Sequence, residues 1–247
     1  MNDFQGKTAL ITGGNSGIGY ATAVELKNRG AKVIITGRRK EAIDNTAKEL
    51  NVFGKVADQG NIEAIEHLAA EVEKEFGKID ILFINAGVTA KATIDKATPA
   101  LWQQVVDVNL TGAYFTLSRF IPLLKDGGSV VFLSSVIATR TIAGSSLYAL
   151  SKAAVNSVVK TAALELAPRR IRVNAVSPGP TETGVFSKMG LDDATMQNVK
   201  NTLQSKIPLG ALGDAADVAK MVSYLCTDNA RFITGSEIIL DGGMTLC

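Results

Sequence analysis

Residues 8–19 read TALITGGNSGIG, and this stretch decides the fold. The short apolar run Thr8–Thr12 predicts a buried strand, and the glycines after it open a predicted helix from Gly17 to Arg29. In this context backbone N–H groups can approach a pyrophosphate at the start of a helix. The spacing is G-x-x-x-G-x-G rather than G-x-G-x-x-G, and such turns also carry glycine for steric reasons alone. The turn therefore suggests a dinucleotide site that other residues must support.

The rest of the chain repeats the alternation of strand and helix. Gly30 is placed to end the first helix. Further strands are predicted at Lys32–Thr36, Val52–Ala57, Ile79–Ile84, Ser129–Ser134, Ile171–Ser177 and Glu237–Leu240, and helices at Glu41–Leu50, Ile62–Phe76, Pro99–Leu124 and Leu147–Ala167. Continuously apolar strands between helices are typical of a parallel sheet covered on both faces. The sequence predicts an α/β fold: a Rossmann-type, doubly wound parallel sheet of about seven strands with helices on both faces, in one domain over 1–247.

Composition excludes several classes of protein. The 247 residues carry 26 Lys and Arg against 24 Asp and Glu, without a basic block, so we expect no nucleic-acid partner. The apolar runs are of strand length, which predicts no membrane partner, and the N-terminus lacks a signal peptide, which predicts a cytoplasmic protein. Cys226, Cys247 and the single His67 indicate no disulfide framework, no metal site and no Ser-His-Asp triad.

The end of the second strand indicates which dinucleotide is bound. An acidic residue here holds the ribose hydroxyls of NAD, whereas the 2′-phosphate of NADP needs a cation. Residues 36–40 read TGRRK, with no acid and three cations. Arg38, directly after Gly37, is the first candidate, because a guanidinium makes bidentate bonds to phosphate. Arg39 is a further candidate, although Arg39 and Lys40 also suit the start of a solvated helix. The sequence favours NADP(H) over NAD(H).

Tyr148 and Lys152 lie one turn apart at the start of a predicted helix and share a face. The lysine cation is expected to lower the pKa of the phenol below its usual value of about 10. Such a phenol can donate a proton to a developing alkoxide. Y-x-x-x-K alone is common by chance. Ser134–Ser135, Asn85–Gly87 and Asn109 strengthen the reading, because one α/β crevice would gather all of them.

Together these residues resemble the signature of the short-chain dehydrogenase/reductase (SDR) family, and the resemblance covers almost the whole chain in order. It includes the glycine turn, Asn85-Ala86-Gly87, Asn109, Ser135, Tyr148, Lys152, Pro178-Gly179-Pro180-Thr181-Glu182-Thr183 and Asp241-Gly242-Gly243. Ser135 precedes Tyr148 by 13 positions, the spacing usual in the family, which selects it over Ser134. The resemblance implies an NADP(H)-dependent oxidoreductase that interconverts a ketone and a secondary alcohol.

The resemblance also implies roles for the site residues. Tyr148 would be the general acid in reduction and the general base in oxidation, and Lys152 would lower its pKa and bind the nicotinamide ribose. Ser135 would orient the carbonyl, and Asn109 would hold a water of the proton relay. The cofactor would contact Tyr148 and Lys152, and also Gly13, Asn15, Ser16, Gly17, Ile18, Gly19, Arg38, Arg39, Asp58 (at the adenine amino group), Asn85, Ala86, Gly87, Pro178, Gly179, Thr181 and Thr183 (at the carboxamide). Gln59 departs from the family pattern, in which a small apolar residue usually follows the aspartate.

The sequence also gives expectations for the substrate pocket and for the oligomeric state. Loops 88–95 and 137–147 and a lid at 184–209 are expected to line a pocket for a small carbonyl or alcohol substrate. Family members of this length are commonly tetramers. The helices at 101–124 and 147–167 carry apolar residues on more than one face, which predicts a homotetramer; these residues include Leu110, Tyr114, Leu117, Val155, Val158 and Val159.

Two other functions stay open. A 3-oxoacyl-carrier-protein reductase shares the four catalytic residues and would dock its acidic carrier on cations. Residues 125–128, KDGG, weaken one such docking site, and Arg169 and Arg170 would serve as the other. A non-catalytic dinucleotide-binding regulator is the third reading, since fold does not fix function. Such a regulator would be expected to lose catalytic residues, whereas all four are present.

Overall fold

The computed structural model describes residues 3–140, 142–183 and 192–247. Its strands are β1 (Thr8–Thr12), β2 (Lys32–Gly37), β3 (Phe53–Val56), β4 (Ile79–Ile84), β5 (Leu124–Leu133), β6 (Arg172–Pro178), β7 (Thr181–Glu182), β8 (Gly213–Asp214) and β9 (Glu237–Leu240). Its α-helices are α1 (Gly17–Asn28), α2 (Lys40–Leu50), α3 (Ile62–Phe76), α4 (Pro99–Val106), α5 (Gly112–Phe120), α6 (Ser146–Leu166), α7 (Asp193–Gln204) and α8 (Ala215–Cys226). Of the predicted lid at 184–209, residues 184–191 lie outside the described part of the chain, and α7 lies within the rest.

Seven strands form one parallel sheet in the order β3-β2-β1-β4-β5-β6-β9. Each neighbouring pair is parallel, so the carboxyl ends of the strands meet at one edge. The strand order reverses between β1 and β4, and a sheet of this kind binds its ligand in the crevice at that point. The predicted doubly wound parallel sheet is confirmed.

Alternate strand residues pack into two separate cores because successive side chains of a strand point to opposite faces. Leu10 of β1 belongs to the core shared with α3, α5 and α6. Ile11, the next residue, belongs to the core shared with α1, α2 and α8. The sheet therefore carries helices on both faces, as predicted, and its strand ends are held in fixed positions from both sides.

The predicted helix Pro99–Leu124 is helical without a break from Pro99 to Leu123, but it is not an α-helix throughout. α4 ends at Val106, residues Asp107–Thr111 form a turn of π-helix, and α5 follows from Gly112. A short 3₁₀ turn at Ile121–Leu123 contains Pro122, which has no N–H to continue the helix. β5 then begins at Leu124, five residues before the predicted start at Ser129. Apolar side chains continue through the π-helical turn and into β5. The periodicity of the sequence alone therefore did not show where the α-helix changes or where the strand begins.

Candidate active site

Hydrogen bonds hold the glycine turn against the end of β4. The Thr12 hydroxyl accepts from the backbone N–H of Asn85 and from that of Ala86, each at 3.0 Å. The Asn85 amide donates to the carbonyls of Thr12, at 2.9 Å, and Gly13, at 3.1 Å. The side chain of Asn85 is thus engaged in building the turn.

Two glycines allow the turn and α1 to approach each other. Gly13 has a φ of +65°, where a side chain is strained, and a Cβ at Gly19 would overlap the Gly13 carbonyl oxygen. Gly19 consequently lies behind the turn and supports it from within.

The start of α1 is open to an anion. Among the described residues, the Ser16 side chain makes no capping hydrogen bond, and the first turn of α1 carries no acid. Its N–H groups and the positive end of the helix are left for an anion.

A cleft of about 510 Å³ runs along the carboxyl ends of β1, β2 and β4. Twelve residues that the sequence had assigned to the cofactor line it: Gly13, Asn15, Ser16, Gly17, Ile18, Arg38, Arg39, Asp58, Asn85, Ala86, Gly87 and Thr183. Sequence reasoning missed further lining residues, namely Thr36, Ala57, Val88, Val108 and Leu133. Ala57 directly follows β3, Leu133 ends β5 and Thr36 is the last but one residue of β2, so the strand-end rule could have found these three.

The cations after β2 differ from one another in their surroundings. Arg38 and Arg39 are exposed and line the cleft, and no carboxylate in the described part of the chain pairs with either. Lys40 instead begins α2, pairs with Asp44 at 2.5 Å and lies outside the cleft lining. A Cβ at Gly37 would lie 2.9 Å from Asn15 Oδ1 and 3.0 Å from the Ile43 side chain. Glycine at position 37 thus has a packing reason of its own, whichever cofactor binds.

Asp58 and Gln59 lie beside the cleft after β3. Asp58 is exposed, and one of its carboxylate oxygens accepts a hydrogen bond from the Gly60 N–H at 2.9 Å. Gln59 is buried, and its amide donates to the Thr116 hydroxyl at 2.9 Å. The polar group that departs from the family pattern is therefore bonded to α5, where it helps to fix the loop after β3.

The π-helical turn aims Asn109 at the loop after β4. Asn109 is 1% exposed; its Oδ1 accepts from the Val88 N–H and its Nδ2 donates to the Val88 carbonyl, both at 2.8 Å. Nδ2 also donates to the Ser151 hydroxyl at 3.1 Å. Because both amide hydrogens are engaged, only a lone pair of Oδ1 is left to hold the expected water. At Gly112, a Cβ would overlap the Gln59 carbonyl oxygen, so close packing requires glycine just after the turn.

Tyr148, Ser135 and Lys152 lie together at the end of β5. The Ser135 hydroxyl lies near enough to the Tyr148 phenol to lower its pKa, and it also accepts from the Ile137 N–H at 3.3 Å. The Lys152 ammonium donates to the Leu133 carbonyl at 2.7 Å and lies 5.7 Å from the centre of the Tyr148 ring. The Ser134 hydroxyl donates to the Lys152 carbonyl at 3.4 Å, away from the phenol. The structure thus puts Ser135, rather than Ser134, beside Tyr148.

The pKa of Tyr148 differs from the sequence expectation. Burial raises it above the ordinary value of 10.0, and the nearby Ser135 hydroxyl offsets only part of this rise. Burial also lowers the pKa of Lys152 from 10.5 to about 8. Desolvation of both groups therefore outweighs the attraction expected between them. At neutral pH the phenol keeps its proton and the lysine is mostly charged.

The loop after β6 carries the other predicted cofactor residues. Pro178, Gly179 and Thr181 do not line the cleft. The Gly179 N–H donates to the Leu240 carbonyl at 2.8 Å, and Thr181 pairs with Gly213 in a two-stranded sheet that the sequence did not predict. These contacts fix the loop that brings Thr183 to the glycine turn, where a Cβ at Gly17 would lie 3.5 Å from it.

A backbone hydrogen bond joins the two predicted substrate loops. The Ala92 N–H donates to the Gly144 carbonyl at 2.9 Å, which links loop 88–95 to loop 137–147. The Arg140 guanidinium donates to the Met244 carbonyl of the C-terminal turn.

In the described residues, no group of three or more His, Cys, Asp or Glu side chains could hold a metal ion. None of the described helices combines the length and apolar character needed to cross a membrane.

Known proteins resemble this chain over almost its whole length. The family model described as "Enoyl-(Acyl carrier protein) reductase" matches residues 13–245. The 3-oxoacyl-[acyl-carrier-protein] reductase FabG of Thermotoga maritima is 36% identical, over 98% of this chain and 99% of that protein. Dehydrogenase/reductase SDR family member 4 of Homo sapiens is 35% identical, over 96% and 87%. The solved short-chain dehydrogenase/reductase of Serratia marcescens BCRC 10948 has a TM-score of 0.91 at 29% identity, over 98% and 99%.

The fold, the cleft and these similarities define an oxidoreductase with a nicotinamide dinucleotide cofactor. The chain belongs to the short-chain dehydrogenase/reductase family. As a member of that family it is an enzyme that acts on C=O and CH–OH groups.

Proposed function

We propose that this enzyme reduces ketones to secondary alcohols and catalyses the reverse oxidation, with NADP(H) as cofactor and Tyr148 as general acid and base. The observation that carries the proposal is the grouping of Tyr148 with Ser135 and Lys152, whose ammonium lies 5.7 Å from the centre of the Tyr148 ring. Gly87, which lines the cleft, shows how close these residues are to it. A Cβ there would lie 3.6 Å from Lys152 Nζ and 3.3 Å from Asn109 Oδ1, so both polar groups lie directly behind Gly87, although neither lines the cleft itself.

The residues that are present fit a phosphorylated dinucleotide. The uncapped first turn of α1 suits the pyrophosphate, because unpaired N–H groups and the helix dipole both favour an anion. Arg38 and Arg39, which have no acidic partner in the described residues, suit a 2′-phosphate, and Asp58 suits the adenine amino group. When bound, the cofactor supplies the hydride and, once oxidised, a positive charge on its nicotinamide ring.

The side chains around Tyr148 account for the movement of the proton. The hydroxyls of Ser135 and Tyr148 would both donate to the carbonyl oxygen of the substrate. As negative charge develops on that oxygen, Tyr148 gives up its proton to it. The raised pKa of the phenol keeps this proton in place at neutral pH before reaction. The tyrosinate that forms is stabilised by the Lys152 ammonium, and it accepts the proton again when the reaction runs as an oxidation.

A substrate panel tests the proposal. Consumption of NADPH would be measured with ketones, ketoesters, keto-sugars and a 3-oxoacyl thioester on an acyl-carrier surrogate. Turnover of a free ketone with NADPH is the expected result. NADPH that binds without being oxidised by any member of the panel would overturn the proposal and favour a non-catalytic regulator.

A 3-oxoacyl-carrier-protein reductase is the second candidate, favoured by the name of the Thermotoga maritima relative. The sequence suggested Arg169 and Arg170 as its docking cations. The Arg169 guanidinium, however, donates to Asp126 at 2.8 Å and to the carbonyls of Ile121 and Leu124. Because Arg169 is engaged within the chain, we rank free small ketones first. Faster reduction of a carrier-bound thioester than of the same free thioester would reverse that order.

We also propose a homotetramer. Leu117, Val155 and Val159 are buried inside the monomer, so they no longer argue for assembly. Tyr114 of α5 is 52% exposed, and Leu164 of α6, which the sequence did not single out, is 79% exposed. A second copy would remove both from water.

Three further predictions from the sequence also stay predictions: the one-domain organisation over 1–247, the lid at 184–209 and the cytoplasmic location.

Light scattering is expected to give four times the chain mass of 26.0 kDa at micromolar concentration. Leu164→Glu should lower that mass if α6 forms an interface, because it would place a charge in an apolar contact. Glu165→Ala, on a neighbouring exposed position, is the control. A wild-type monomer at micromolar concentration would contradict the proposal.

A further inference from the structure

Ser151 is a buried serine for which the proposed mechanism has no use. It is 0% exposed, and its hydroxyl lies between two residues of the proposed site. The hydroxyl accepts from Asn109 Nδ2 at 3.1 Å and donates to the Tyr148 carbonyl oxygen at 2.8 Å. One side chain therefore connects the π-helical turn to the first turn of α6.

The network around Asn109 permits only one orientation of its amide. Oδ1 must face the Val88 N–H, while Nδ2 must face the Val88 carbonyl and the Ser151 hydroxyl. Exchange of the oxygen and the nitrogen would oppose donor to donor and acceptor to acceptor at Val88. The amide is thus a fixed reference point, and Ser151 is the group through which α6 is attached to it.

The start of α6 needs such an attachment. Tyr148 is the third residue of this helix and lies in its first turn, whose N–H groups have no partner within the helix. In the described part of the chain, the N-cap residue Ser145 makes no side-chain capping hydrogen bond. The bond from Ser151 to the Tyr148 carbonyl, together with the bond from Asn109, holds this turn from inside the protein.

We propose that Ser151 is a positioning residue: it fixes the first turn of α6, and with it the Tyr148 phenol, relative to Asn109 and the cofactor cleft. The inference rests on the proposed role of Tyr148 in proton transfer. It concerns the chemical step, so it predicts a loss in kcat rather than in cofactor affinity.

A double-mutant cycle tests the inference. Ser151→Ala is expected to lower kcat about 3- to 10-fold for the best ketone, the effect of one neutral hydrogen bond, with the KM for NADPH unchanged. In an Asn109→Ala background the same change is expected to alter kcat by less than about 2-fold, because Ser151 no longer links the two elements. If Asn109→Ala does not fold, Asn109→Ser takes its place, and Ser151→Cys replaces Ser151→Ala in the same way.

Ser134→Ala is the matched control. Ser134 is also a buried serine whose hydroxyl donates to a carbonyl of α6, that of Lys152, but it does not contact Asn109. We expect its kcat within about 2-fold of wild type, the error with which independent sites add. A folded Ser151 variant with wild-type kcat, or with an effect that simply multiplies that of Asn109→Ala, would overturn the inference. If Tyr148→Phe itself stays active, the proposed function fails instead.

Discussion

Replacement of Tyr148 by phenylalanine is expected to abolish turnover while the fold and NADPH binding stay nearly unchanged. The substitution removes the proton that the carbonyl oxygen receives, and general acid–base catalysis of this kind contributes ~10²–10⁴-fold to the rate. The substitution leaves the ring in its place next to Lys152. The measurements are kcat with the best ketone, the thermal midpoint of unfolding and the NADPH dissociation constant.

Tyr114→Phe is the control for this substitution. Tyr114 is exposed on α5 and packs edge-on against Phe115, so loss of its hydroxyl leaves the cleft untouched. We expect wild-type kcat. A Tyr148→Phe enzyme that kept more than about a tenth of the wild-type kcat would exclude the phenol as the general acid.

Arg38→Ala is expected to raise the KM for NADPH and to leave the KM for NADH almost unchanged. A hydrogen bond to a charged group contributes about 1.5–3 kcal/mol, which corresponds to a preference of about 10- to 150-fold. The lack of an acidic partner for Arg38 in the described residues leaves its guanidinium available for the 2′-phosphate. Arg39→Ala should show a smaller effect of the same sign if the two arginines share the phosphate. Steady-state kinetics with both cofactors is the measurement.

Two controls separate phosphate recognition from general charge and from packing. Lys40→Ala removes a neighbouring cation that pairs with Asp44 and does not line the cleft, so both KM values should stay as they are. Adding Gly37→Asp to Arg38→Ala should reverse the cofactor preference, because a carboxylate accepts ribose hydroxyls and repels phosphate. Since any Cβ at position 37 must displace Asn15 or Ile43, Gly37→Ala measures that steric cost alone. A wild-type enzyme that prefers NADH would refute the assignment of Arg38.

The sequence predicted those elements whose ends carry local signals. α3 has its predicted bounds because the Asn61 side chain accepts from the Ala64 N–H at 3.0 Å at its start, and Gly77 follows its end with a φ of +68°. The π-helical turn at Asp107–Thr111 gives no such signal. It depends on contacts of Asn109 with Val88 and of Gly112 with Gln59, which are remote in sequence.

The sequence predicted those site residues that follow the end of a strand. It missed the features that depend on contacts between residues remote in sequence. The glycine turn, Arg38 and Asn85–Gly87 all follow strands that are easily recognised, and the structure brings them to one cleft. The attachment of Arg169 to the carbonyls of Ile121 and Leu124, at the start of β5, became visible only with the fold. The same is true of the pKa of Tyr148, because burial depends on every element that surrounds the phenol.

The pairing of Val88 with Asn109 makes one backbone amide a probe of the working site. Val88 lies in a loop, where amide protons normally exchange rapidly with deuterium, yet its N–H points at a carbonyl oxygen of an interior side chain. Exchange there requires the π-helical turn to separate from the loop after β4, a local opening rather than global unfolding. We expect Val88 to be among the slowly exchanging loop amides. Its protection factor should fall in Asn109→Ala and in Ser151→Ala, so that disorder near Tyr148 becomes visible without any substrate.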